Sequence, residues 1–79
     1  DAVNGVVVST AYSSDEGYET AILDKDDIHP VERYENKEDA LIGHKRWKLK
    51  AKTLKTVKKL GWQGLVDAEE VEIVRGYED

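Results

Sequence analysis

The chain has 79 residues, 37% of them charged and 39% hydrophobic, with a net charge of −5 and neither cysteine nor methionine. That length supports one small domain over residues 1–79 and excludes two, and the lack of cysteine excludes a disulfide framework and thiolate chemistry. No stretch approaches the roughly 18 consecutive apolar residues that cross a bilayer, and Val6–Val8 lacks the length and basic flank of a signal peptide, so a soluble cytosolic protein with no membrane partner is expected.

Leu, Ile, Val and Phe make up about 24% of the residues, above the rough 20% floor for a charged chain to fold. The missing initiator is expected to reflect a removed tag or a maturation cleavage of the kind virion proteins undergo.

In chain order, the β-branched and aromatic run Val6–Tyr12 predicts a first strand. The cluster Ser13-Ser14-Asp15-Glu16-Gly17 predicts a turn with Gly17 at positive φ, and Tyr18–Asp24 a second strand closing a hairpin. Asp24–His29 reads as a polar loop closed by Pro30, and Val31–Glu35 as a short third strand. At Asn36 the period changes: Asn36 with Asp39 three residues on resembles a capping box, and Glu38 and Asp39 suit a helix N-terminus.

The helix is expected over about 37–60, ending on Lys58, Lys59 and a C′ glycine at Gly61. At 1.5 Å per residue it would be about 36 Å long, more than a small sheet covers. The chain restarts at Trp62, and Glu70–Val74 alternates as a fourth strand. The resulting class is α+β, in the order β-β-β-α-β, an antiparallel sheet of three to four strands packed on one long helix.

Charge is strongly segregated. From Ala40 to Val66 there is no acid, yet eight of the twelve basic residues lie there, while residues 1–39 hold eleven acids and 67–79 hold six. On a 100° helical wheel, Ala40, His44, Trp47, Ala51 and Leu54 share a core-facing stripe. A quarter-turn away, Lys45, Lys48, Lys52, Lys55 and Lys59 form a lysine stripe with no acid on the helix to neutralise it. Ile42, Leu49 and Leu60, with Thr53 and Thr56, lie roughly opposite the core and suggest a contact seam, unless Trp62 and Leu65 fold back over Leu60.

Candidate chemistry is sparse. His29 follows Asp26 and Asp27, and His44 stands one turn before Trp47, but no nucleophile-elbow motif or glycine-rich phosphate loop accompanies them, so no catalytic set is expected. Asp24, Asp26, Asp27 and Glu35 imitate a calcium loop, yet Ile28 and His29 occupy the fifth and sixth positions, where an oxygen ligand and a glycine are required. No metal or cofactor is expected. Gly43 beside His44 reads as a packing motif that lets the helix approach the sheet, with the imidazole reaching a strand carbonyl or the Tyr34 hydroxyl.

The residues Tyr18, Glu19, Thr20, Arg33, Tyr34, Glu38, Ala40, Gly43, His44 and Trp47 together resemble small uncharacterised proteins of tailed bacteriophages, which share a Tyr-Glu-Thr strand, an Arg-Tyr pair before an acidic helix start, and a Gly-His-x-x-Trp helix. The likeness covers residues 18–47. It implies a phage accessory protein in a host bacterial cytoplasm and brings no catalytic residues with it.

The expectation is therefore a non-enzymatic binding protein that contacts a host or phage macromolecule through Lys45, Lys48, Lys52, Lys55, Lys59, Ile42, Leu49 and Leu60 and modulates a host process or defence system. Its partner is an acidic protein surface or a second copy. Sequence-independent nucleic-acid binding along the stripe is the alternative, against which the scarcity of arginine and of interleaved aromatics counts. A virion structural component is a third reading.

Overall fold

The computed structural model describes residues 1–15, 17–61 and 64–77, with only the backbone described for 64–67. Six strands and one helix follow in the order β1 (Ala2–Val3), β2 (Val6–Ser13), β3 (Gly17–Leu23), β4 (Ile28–Tyr34), α1 (Lys37–Ala51), β5 (Thr56–Gly61) and β6 (Gly64–Glu72). Strands β1 to β4 form one antiparallel sheet in sequence order, and β5 and β6 form a second. The class is α+β with a single helix packed against an antiparallel sheet, as the period of the sequence predicts.

The first hairpin turns at Asn4 (φ 45°) and Gly5 (φ 81°), the positive pair that a two-residue connection with the right-handed strand twist requires. The second turns at Gly17 (φ 72°), where the sequence places a positive-φ glycine. In β4 the strand starts earlier than expected, at Ile28, and carries Pro30 within it; this is tolerated because β4 is an edge strand of its sheet. A register shift leaves Val31 as an extra residue, since Thr20 faces Glu32 while Ala21 faces Pro30.

The helix begins as expected: Asn36 is extended (φ −141°, ψ 166°) and its Oδ1 accepts the Asp39 N–H at 2.9 Å. It ends at Ala51 rather than near Leu60, so the expected long rod is corrected to 15 residues. The Lys52 N–H bonds back to the Leu49 carbonyl, the Asn4 side chain donates to the Lys52 carbonyl at 2.9 Å, and the chain then enters the β-branched run Thr53, Thr56, Val57. Gly61, expected as a C′ residue, belongs to β5. The fourth strand expected at Glu70–Val74 is β6, displaced toward the N-terminus. What draws 56–61 out of the helix is long-range pairing: Lys58 lies opposite Glu70 and Lys59 opposite Glu69, so opposite charges face one another across the two-stranded sheet.

One core serves both sheets. Val6, Val8, Ile22, Val31, Ala51 and Val57 are buried together, with Val3, Trp47, Leu54, Val71 and Ile73 packed against them. The segment after β6 closes the fold: Ile73 N–H donates to Lys55, Val74 accepts from Lys25, Arg75 donates to the Asn4 and Leu54 carbonyls, and the Gly76 and Tyr77 amides both donate to Gly5.

The helix sits close to the sheet because position 43 is glycine. A Cβ there would stand 2.2 Å from the Tyr34 hydroxyl and 2.4 Å from its ring. Tyr34 is itself buried, so neither side has room to yield. Gly43→Ala is expected to destabilise the protein by about 1–3 kcal/mol or more despite the better helix propensity of alanine, and urea denaturation measures it.

Candidate functional site

Between α1 and the sheet runs a strip of polar groups that helical and strand periodicity bring face to face. His44 Nδ1 lies 2.6 Å from Thr10 Oγ1, which lies 2.6 Å from Thr20 Oγ1; Thr20 is 2.9 Å from the Tyr34 hydroxyl, and Tyr34 donates to Glu32 at 3.0 Å. At the other end His44 Nε2 meets the Asp1 carboxylate at 3.0 Å. Glu32 Oε1 also accepts from Trp47 Nε1 at 2.8 Å and from Arg46. His44 thus reaches a threonine hydroxyl, and Tyr34 is two links further along.

Five contacts join these six groups, whereas three hydroxyls and a neutral imidazole supply four hydrogens, so one contact is short of a hydrogen unless His44 takes a second proton. Burial, the terminal ammonium and Lys48 all hold the His44 pKa below its ordinary value, which favours the four-hydrogen state. Burial acts to raise the Glu32 pKa, but bonds from Trp47, Arg46 and Tyr34 outweigh it and keep the carboxyl below its usual range. The order Asp1, His44, Thr10 imitates a nucleophile relay, but the Thr10 hydroxyl is engaged on both sides.

The lysine stripe divides. Lys45 and Lys48 stand on α1, Lys52 is its C-cap, Lys55 follows in the connection and Lys59 belongs to β5. Lys48 pairs with Asp1 at 3.1 Å and Lys59 with Asp27 at 3.2 Å, whereas Lys45, Lys52 and Lys55 are exposed without an ion pair among the described residues. On the helix, Lys37, Leu41, Lys45, Lys48 and Lys52 fall within about 80° of the circumference. This flank looks onto the outer half of β2, where Thr10, Ala11, Tyr12, Tyr18, Lys37, Ala40, Leu41 and His44 line a groove of about 280 Å³. Tyr12 is 65% exposed, its ring 5.0 Å from that of Tyr18.

The expected apolar seam also divides. Ile42 and Leu49 are 62% and 67% exposed on the outer ridge of α1, but Leu60 is on β5 and half-buried. Leu60 instead joins Val31, Glu32, Arg33, Arg46, Trp47 and Lys50 around a second groove of about 550 Å³. There the Lys50 ammonium sits 4.9 Å over the Trp47 ring, so Trp47, expected as the largest core anchor, is half in the core and half in this groove. The expected folding of Trp62 and Leu65 over Leu60 lies outside the described residues.

The acidic loop is a clasp. Asp24 is buried, its Oδ1 accepts the Asp26 and Asp27 amides at 2.8 and 2.9 Å, and its Oδ2 accepts His29 Nε2 at 2.9 Å and the Val74 amide at 3.0 Å. With Nε2 committed, His29 Nδ1 is buried with no hydrogen-bond partner among the described residues. Among the described residues no group of three or more His, Asp or Glu is placed to hold a metal ion, and no helix is long and apolar enough to cross a membrane.

Sequence reasoning missed Lys37, Leu41, Thr10, Tyr12 and Tyr18 as surface neighbours, and the Asn4-Gly5 dipeptide that creates β1 was the signal available for part of this edge.

Burial opposes ionisation of Asp24, but the Val74, Asp27, His29 and Asp26 bonds prevail and bring its pKa down to about 2. Because the folded pKa lies below the ordinary carboxylate value, the contribution is complete above about pH 4 and is lost as pH falls through about 2. Asp24→Asn is expected to cost about 2 kcal/mol at pH 7, and the difference from the parent should shrink progressively when urea unfolding is repeated between pH 5 and pH 2. No protein-family model, curated protein or solved structure matches this chain.

Proposed function

We propose that the protein is a non-enzymatic binding module whose recognition surface is the lysine-bearing flank of α1, and that its partner is an acidic protein segment. The observation that carries this reading is the collection of Lys37, Lys45, Lys48 and Lys52 on one flank, with Asp1 the only carboxylate within ion-pair reach of them among the described residues. The charges of β5 are different: Lys58 and Lys59 face Glu70 and Glu69, and Lys59 also meets Asp27. The basic surface left to a partner is therefore short, and it lies beside tyrosine and leucine rather than along a rod. A short basic patch with an apolar margin fits a protein segment better than the repeating phosphates of a duplex, which reward a long cationic track.

Within the same proposal, the resemblance of residues 18–47 to tailed-phage proteins supports reading this module as a phage accessory protein of the infected bacterial cytoplasm that acts on a host or phage macromolecule. Lys37→Glu/Lys45→Glu/Lys52→Glu changes three exposed side chains and is expected to retain the fold by circular dichroism. Its affinity for poly-glutamate at low salt should fall about tenfold or more relative to the parent. Equal affinity of parent and variant, or stronger binding of arbitrary duplex DNA than of poly-glutamate, would overturn the reading.

A further inference from the structure

The outer ridge of α1 holds two large aliphatic side chains in water. Ile42 and Leu49 are both more than half exposed and stand nearly opposite the buried Ala40 and Ala51. They are two turns apart, about 10 Å along the axis, so the ridge is close to symmetric about a point between Lys45 and Arg46. Glu38 lies on the same ridge toward the N-terminal end, Lys45 near its middle and Lys52 at the C-cap. All three are exposed, and none has an ion pair among the described residues.

The order of charge along this ridge selects what can cover it. An external acidic segment answers Lys45 and Lys52 but sets like charge against Glu38. A parallel copy of the helix sets Glu38 on Glu38 and Lys52 on Lys52. An antiparallel copy, related by a two-fold axis through the midpoint, packs Ile42 against Leu49 twice and brings Glu38 of each copy beside Lys52 of the other. The opposed helix dipoles favour the same direction.

We infer that the outer ridge of α1 is a homodimer interface, formed by antiparallel packing of the helix on that of a second copy. The inference does not rest on the acidic-segment reading, which uses the neighbouring flank. The two nevertheless fit together, because rotation about this axis leaves both lysine flanks on one side of the helix pair. One element opposes association: the two copies of Lys45 meet near the axis. A helix about 22 Å long offers less contact than a standard interface, so the dissociation constant is expected at roughly 10–300 µM.

Sedimentation equilibrium between about 1 µM and about 1 mM protein is expected to show monomer passing to dimer. Ile42→Gln and Leu49→Gln alter exposed positions; with circular dichroism unchanged, each should weaken the dimer about tenfold or more. Glu38→Lys should also weaken it, Glu38→Lys/Lys52→Glu should restore it, and Lys45→Ala should tighten it. Since the chain has no cysteine, Ile42→Cys and Leu49→Cys introduce single thiols. An oxidised equimolar mixture should form the mixed disulfide, whereas neither variant should couple to itself, because antiparallel packing holds like positions about 10 Å apart along the axis.

A chain that stays monomeric up to about 1 mM overturns the inference, as does a dimer indifferent to both glutamine variants. Like-position disulfides exceeding the mixed one, or a charge exchange that restores nothing, rule out the antiparallel arrangement. Poly-glutamate binding measured at about 1 µM protein reports on the monomer, so its response to lysine reversal survives any of these results. Loss of that response with an intact dimer removes the acidic-segment reading alone.

Discussion

One carboxylate oxygen fixes the helix to the sheet. Glu32 Oε1 on β4 receives the Tyr34 hydroxyl from its own strand and the Trp47 indole and Arg46 guanidinium from α1. Three donors converging on a half-buried acceptor set both the rotation and the axial position of the helix, because Arg46 and Trp47 are adjacent in sequence and leave the axis in different directions. The rest of the interface follows from that setting: Gly43 arrives over Tyr34, His44 over Thr10, and Ala40 and Ala51 over the apolar rows to either side. The interface is polar along its centre and apolar at its margins, so its position is specified by directional bonds as well as by packing.

The acid-free stretch from Ala40 to Val66 turns out to serve two purposes. Its C-terminal part becomes β5, and its lysines face the glutamates of β6. Its helical part has far less internal compensation, with Lys48 against Asp1 and Arg46 against Glu32 as its ion pairs among the described residues. A single run of positive charge in the sequence is thus split by the fold into a portion used to register two strands and a portion turned to solvent.

Local signals were legible. Gly17 between two β-branched runs marks the second hairpin, Asn36 and Asp39 mark the helix start, and the spacing of Ala40, His44, Trp47 and Ala51 marks the inner face. The helix end was not, because Leu54 prolongs the spacing of the core stripe while Lys52, Lys55 and Lys59 prolong that of the lysine stripe. What overrides that pattern is pairing with β6, about ten residues further on, together with the β-branched Thr53, Thr56 and Val57. The lysine flank was legible as a stripe, but its neighbour, the groove lined by Tyr12, Tyr18, Ala40 and Leu41, is assembled by the packing of α1 on β2 and β3, which is a property of the three-dimensional fold rather than of any window of sequence.

Gly43 has a bearing on the groove beside α1 that its burial conceals. The separation of α1 from the sheet is set where glycine meets Tyr34, and that separation also defines how wide the cleft between α1 and β2 stands open. Cleft width is therefore governed from beneath, by a residue that does not itself line the cleft. Divergent versions of this protein could retune the calibre of that groove by exchanging bulk between positions 34 and 43 while every lining side chain stays the same.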